Sequence, residues 1–185
     1  MTSPVSTLYG HIDNSLFERC KAICLLVCDV DGIFSDGRIY LGNAGEELKA
    51  FHTRDGYGVK ALMNIDVEVA VITGRKSRIV EDRMRALGIR HIIQGEENKG
   101  FALQNLMTEL ELTSEQVAAM GDDMPDVSMF ELSALSISVP DGHPFVKQQA
   151  DYITQCTGGF GAVREVCDLL LQAQDKLTIS HGSSV

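Results

Sequence analysis

Seven residues of this sequence that could do chemistry, Asp29, Asp31, Thr73, Lys99, Asp122, Asp123 and Asp126, fall just past strand-like runs or at helix starts. Asp29 and Asp31 stand two apart in Asp29-Val30-Asp31-Gly32, after the apolar run Leu25-Leu26-Val27-Cys28. Thr73 opens Thr73-Gly74-Arg75, after the β-branched run 67–72. Lys99 follows the short run 91–93, and Gly121-Asp122-Asp123-Met124-Pro125-Asp126 follows 117–120. In an open α/β sheet, ligands sit just beyond the carboxyl ends of the strands, so these groups would converge on one edge. Two carboxylates brought to ~4 Å repel by ~4 kcal/mol at an effective dielectric of 20, so several of them need a cation to stay ionised together. Carboxylate oxygens with backbone carbonyls and waters suit Mg²⁺ rather than zinc, and no His/Cys ligand set competes. Such a cage suits phosphoryl transfer. In it Lys99 would neutralise charge, Thr73 would donate a hydrogen bond, Asp29 could attack phosphorus, and Asp31 could protonate the leaving oxygen and then activate water.

The elements that must position these groups alternate between strand and helix. Helices are expected at 16–23 with Ser15 as cap, 55–64 capped by Asp55, 76–87, 98–110, 124–132, 144–149 and 162–173. Their inward faces read cleanly, as in Leu103, Leu106, Met107 and Leu110, or Val80, Met84 and Leu87. Leu135, Ile137 and Val139 alternate with serines, which gives the fifth strand one polar face and a place nearer an edge. Between the first two long strands, 38–41 and 47–51 flank a Gly-Asn turn and predict a hairpin projecting from the site's side of the sheet. Arg54 and the start of the following helix could hold an anion. Residues 1–14 read as a loose lead-in and 178–185 as frayed. The pattern predicts one α/β domain over 1–185 with its core at about 22–171, a Rossmann-like doubly wound parallel sheet with no inserted cap.

Composition narrows the partners. The 185 residues carry a net charge of −10, with 44% hydrophobic and 23% charged residues. Such a surface repels nucleic acid and anionic lipid, so a small anionic substrate needs local basic residues. No apolar run of ~18 residues spans a membrane, and residues 1–13 lack the features of a signal peptide. Cys20, Cys24, Cys28, Cys156 and Cys167 are odd in number and form no Cys-x-x-Cys pair, which points to reduced thiols in the cytoplasm.

Asp29-x-Asp31-Gly, Thr73-Gly, Lys99 and Gly121-Asp122-Asp123-x-x-Asp126 match, in order, the motifs of the haloacid-dehalogenase-like phosphohydrolases. The chain resembles the capless branch of that superfamily from about residue 22 to 171. Shared stretches include 45–51, 54–58, 72–75 and 161–166. Because dehalogenating members lack the second aspartate, Asp31 favours phosphoester chemistry. The resemblance implies a sugar-acid phosphate as substrate, either 3-deoxy-D-manno-octulosonate 8-phosphate of lipopolysaccharide precursor synthesis or a nine-carbon sialic-acid 9-phosphate. It implies Mg²⁺ held by Asp29, the Asp31 carbonyl and Asp122. Substrate contacts are implied from Asp31, His52, Thr53, Arg54, Asp55, Gly56, Lys60, Arg75, Arg83 and Lys99. It also implies a homotetramer in which hairpins associate and a neighbouring subunit closes each site. A catalytically silent assembly module is the rival from another class; the presence of both Asp29 and Asp31 argues against it.

Overall fold

The computed structural model of the chain describes residues 3–177. In chain order the strands are β1 (Val5–Thr7), β2 (Gly10–Ile12), β3 (Leu25–Cys28), β4 (Tyr40–Leu41), β5 (Glu47–Leu48), β6 (Glu68–Thr73), β7 (His91–Gln94), β8 (Val117–Met120), β9 (Leu135–Ser138) and β10 (Tyr152–Ile153). The helices are α1 (Asn14–Cys20), α2 (Thr53–Met63), α3 (Arg78–Leu87), α4 (Lys99–Glu109), α5 (Val127–Phe130), α6 (Pro144–Gln149) and α7 (Ala162–Ala173). Six strands form a parallel sheet in the order β10-β9-β8-β3-β6-β7. β3 sits in the middle, with Leu25 beside both Glu68 and Val117, and Cys28 beside both Val71 and Met120. The chain runs outward one way through β6 and β7 and the other way through β8 to β10. The reversal point lies between β3 and β8, which is where such sheets leave a crevice for ligands.

Strand periodicity divides the core. Leu26, Cys28, Val69, Val71, Ala118 and Met120 face a layer built by α1, α2, α3 and α7. Their neighbours Leu25, Val27, Ala70, Ile72, Val117 and Ala119 face α4, α5 and α6. All four side chains of β3 are fully buried. Each large apolar side chain so placed contributes roughly 1.5–3 kcal/mol, which makes the floor of the crevice rigid. A doubly wound parallel sheet with a projecting two-stranded hairpin (β4 and β5) is therefore the architecture, and no cap domain interrupts it.

Several local expectations are corrected. Residues 5–12 are a β-hairpin rather than a loose lead-in. Gly10 turns it at a φ of +105°, and it is pinned to α7 by Tyr9 Oη donating to Asp168 (2.8 Å) and Gln172 Nε2 donating to the Ser6 carbonyl (3.1 Å). α1 starts at Asn14 behind Asp13, so Ser15 is inside the helix. α2 starts at Thr53 and its cap is His52, whose Nδ1 accepts from the Arg54 amide at 3.1 Å. α3 begins at Arg78, two residues late, after an extended Ser77. β9 is buried on both faces, so its serines are polar core rather than a solvated face; the Ser136 hydroxyl is held by Asp151 at 2.9 Å, and the buried Ser138 hydroxyl is left unpartnered. The expected fraying at 178–185 lies outside the described residues.

Candidate active site

Asp29 is the first residue beyond β3, and its amide continues the ladder by donating to the Met120 carbonyl at 3.0 Å. The chain then turns sharply at Gly32, with a φ of +96°. A Cβ at that position would lie 2.1 Å from Asp122 Oδ2, so only glycine lets the β3 loop close onto the β8 loop. From the other side, a Cβ on Gly158 would lie 1.7 Å from the Gly32 carbonyl, and the Gly159 amide donates to the Ile33 carbonyl at 2.9 Å. The loop before α7 thus backs the turn that brings Asp29 and Asp122 together.

Lys99 is the first residue of α4, which Asn98 caps by accepting from the Phe101 amide at 3.1 Å. Its ammonium is buried between Asp29 Oδ1 and Asp126 Oδ1, 2.6 Å from each. Asp126 Oδ2 accepts from the amides of Asp122 (2.9 Å) and Asp123 (3.1 Å). Both Asp126 oxygens are therefore engaged in bracing the loop. Asp122 differs, because its Oδ1 is buried with no partner. Carboxylate oxygens of Asp29, Asp122 and Asp126 lie within 4.8 Å of one another. Burial, and then the charges of Asp29, Asp126 and Asp123, push the Asp122 pKa up to about 8. Burial and the Asp126 charge likewise hold Asp29 above the usual carboxylate range, against the pull of Lys99. Lys99 itself is drawn down by burial, yet the two carboxylates more than reverse this and raise it. Three crowded carboxylates with one cation among them, and an unpartnered buried oxygen, fit a hard divalent ion. Asp29 and Asp122 have the free donor capacity for it, and Asp126 supports them.

Around this centre a cleft of about 590 Å³ is lined by Asp29, Asp31, Thr73, Arg75, Lys99 and Asp122, all expected site residues, together with Gly37, Gly74, Glu97, Asp123, Pro125 and Asp126. Thr73 ends β6 and is buried. His52, Thr53, Arg54, Asp55, Gly56, Lys60 and Arg83 do not line it. They belong to the first turns of α2 and to α3 behind it. Asp55 is buried, with Oδ1 accepting from the Arg164 amide of α7 at 2.8 Å and Oδ2 unpartnered; burial raises its pKa to about 6. A Cβ on Gly56 would lie 2.7 Å from the Arg83 guanidinium, which places Arg83 against α2. Arg54 shares a smaller cleft of about 250 Å³ with Tyr9, Arg164 and Asp168.

Two residues were missed as site residues. Lys49 and Glu47, on the hairpin, reach Asp31 and Arg75: the Lys49 ammonium pairs with Asp31, and Arg75 lies 3.9 Å from Asp31 and 3.5 Å from Glu47. The signal for them was their alternate spacing on a strand expected to project from the same edge.

The chain is similar along nearly its whole length to enzymes of one kind. A haloacid dehalogenase-like hydrolase profile matches residues 89–166. The 3-deoxy-D-manno-octulosonate 8-phosphate phosphatase of Escherichia coli K12 is 50% identical over 181 residues, covering 98% of this chain and 96% of that one. The solved structure of the Yersinia pestis enzyme of that name superposes with a TM-score of 0.97 at 48% identity, covering 100% of both chains. The Moraxella catarrhalis enzyme of that name, solved in complex with magnesium ion, phosphate ion and KDO, gives a TM-score of 0.88 at 44% identity, covering 89% of this chain and 95% of that one.

Proposed function

The chain belongs to the 3-deoxy-D-manno-octulosonate 8-phosphate phosphatase family of haloacid dehalogenase-like hydrolases, and from that premise we propose that it hydrolyses this ester to the free sugar acid and inorganic phosphate, with Mg²⁺ as cofactor. The observation that carries the proposal is the convergence of Asp29, Asp31, Thr73, Lys99 and Asp122 on one cleft at the switch point of the sheet. Identity of about half over nearly the full chain supports the choice of substrate.

Asp29 and Asp122 would hold the ion through their side chains, and Asp31 through its carbonyl. When bound, Mg²⁺ offsets the crowded carboxylates and the charge of the phosphoryl group. Asp29 forms a bond to phosphorus as the ester P–O bond breaks, and the proton carried by Asp31 goes to the leaving oxygen. Water then gives one of its own protons to Asp31 as its oxygen bonds to phosphorus, and the bond to Asp29 breaks to release phosphate. Lys99 and Thr73 stabilise the charge that builds on the transferring group. Arg75, half-exposed in the cleft, is a cation for the substrate's carboxylate or phosphate.

Substrate contacts from His52, Thr53, Arg54, Lys60 and Arg83 require a second copy of the chain at the cleft, since a single chain keeps them outside it; Asp55 and Gly56, buried beneath α7 and α3, would shape that surface rather than touch the substrate. The hairpin supports self-association, as a homotetramer in this reading, because Tyr40, Leu41 and Leu48 are exposed. The cysteines are unpaired and no described helix is long and apolar enough to cross a membrane; the cytoplasmic place in lipopolysaccharide precursor synthesis belongs to the same reading and is supported by the likeness to the Escherichia coli enzyme. The test is phosphate release from 3-deoxy-D-manno-octulosonate 8-phosphate with and without Mg²⁺, beside a sialic-acid 9-phosphate. Magnesium-dependent release favouring the eight-carbon ester is expected. Preference for the nine-carbon ester, or release in excess chelator, contradicts the proposal.

A further inference from the structure

Behind Asp31 the hairpin builds a closed ring of alternating charge. Glu47 on β5 and Lys49 just after it turn to the same side of the hairpin, toward Asp31 and Arg75, while Leu48 between them is exposed. The Lys49 ammonium pairs with Asp31 Oδ1 and lies 3.9 Å from Glu47 Oε1. Arg75 lies 3.5 Å from Glu47 Oε2 and 3.9 Å from Asp31 Oδ2. Glu47 is fixed in turn by the Ser77 hydroxyl, which donates to it at 2.9 Å.

The two cations of the ring are not equivalent. The Arg75 side chain is 49% exposed and lines the cleft. The Lys49 side chain is 0% exposed and forms no part of the cleft wall. An anionic substrate entering the cleft meets Arg75 and can draw it away from Asp31. It cannot reach Lys49.

We infer that Lys49 is a positioning residue for the phosphatase reaction: from behind the cleft it holds the Asp31 carboxylate aimed at the leaving oxygen while Arg75 turns to the substrate. The inference rests on the acid–base role of Asp31 proposed above. It makes the hairpin a working part of the site of its own chain, since Lys49 follows directly on the exposed Leu48 that ends β5. A buried ammonium is suited to this task, because little freedom remains to be lost when Asp31 must be held still.

The test compares steady-state kinetics of the full chain on 3-deoxy-D-manno-octulosonate 8-phosphate in saturating Mg²⁺. A charge-assisted hydrogen bond of this kind is worth about 10- to 100-fold, so Lys49→Met lowers kcat by that factor and leaves KM within about twofold. Lys49→Arg, which keeps the charge and the donor, recovers most of kcat. Ser77→Ala, which loosens the hairpin's anchor without touching Asp31, changes kcat by less than threefold. Full kcat in Lys49→Met, a loss carried by KM alone, or an equal loss in Ser77→Ala overturns the inference and reduces Lys49 to a staple for the hairpin. Should Lys49→Met fail to fold, Lys49→Gln replaces it and is read by the same outcomes. Wild-type enzyme that leaves this ester intact defeats the substrate reading instead, whatever the variants do.

Discussion

Asparagine in place of Asp122 keeps the shape of the metal cage and removes one of its charges. In the metal-free protein, oxygens of Asp29, Asp122 and Asp126 lie within 4.8 Å of one another, and two unit charges at that separation repel by about 3.5 kcal/mol at an effective dielectric near 20. Asp122→Asn abolishes repulsion toward both Asp29 and Asp126 and forfeits attraction to Lys99, a net gain of about 3 kcal/mol when Asp122 is ionised. The sign with pH follows from the raised pKa of about 8 in the folded state. Below the ordinary carboxylate range Asp122 is neutral whether folded or not, and wild type and variant are equally stable. As pH climbs, the unfolded chain releases the proton first, and wild type loses stability until Asp122 has ionised in the fold, near pH 8. For a domain of this size 1 kcal/mol moves Tm by about 2–4 °C, so in EDTA at pH 8 the variant melts about 6–12 °C above wild type, and the two converge near pH 4. Excess Mg²⁺ reverses the order. It stabilises wild type by about 4.1 kcal/mol at a concentration about 1,000-fold above its Kd, and the variant far less. Thermal melts over pH 4–9 in EDTA and in Mg²⁺ read this directly. A variant no more stable than wild type in EDTA at pH 8, or one that gains as much from Mg²⁺, refutes the assignment of Asp122 as a ligand crowded by its neighbours.

Other outcomes follow from the same geometry. Asp29→Asn lowers kcat by about 10⁴-fold or more while its circular dichroism stays that of wild type, because the nucleophile has no substitute in the cleft. Lys99→Met leaves Asp29 and Asp126 buried without their shared cation; the melt in EDTA loses about 3–5 kcal/mol, and Mg²⁺ recovers part of that loss. Gly32→Ala forces a Cβ to 2.1 Å from Asp122 Oδ2 at a φ of +96°, so stability falls by about 2 kcal/mol or more and calorimetric Mg²⁺ binding weakens with it.

The groups of the metal cage were legible because the fold obliges them to be. Asp29, Thr73 and Asp122 each lie at or next to the end of an apolar strand, and a parallel sheet sends all such ends to one edge. Lys99 was legible for a related reason, as the first residue of a capped helix that follows a strand. The positions of Asp55 and Arg83 were not. Asp55 is placed by an amide 109 residues away in α7, and nothing local in Arg54-Asp55-Gly56 announces that partner. Lys49 was hidden in the same way, because its pairing with Asp31 depends on how far the hairpin leans over the edge. The first hairpin escaped notice because strands of three residues with exposed polar side chains have no periodicity to read; its hold on α7 is tertiary. Short-range pattern therefore located the residues that converge at the sheet edge, and long-range packing decided which other charged residues stand in the cleft.

The central claim is that Asp29 takes the phosphoryl group from its ester, and the most direct measurement is a rapid acid quench of a single turnover with ³²P-labelled 3-deoxy-D-manno-octulosonate 8-phosphate, followed by peptide mapping. The account predicts label, in Mg²⁺ and within the time of one turnover, on the peptide that contains Asp29 and specifically at that carboxylate. Label on no peptide while phosphate is released at the full rate, or label at another residue, would contradict it.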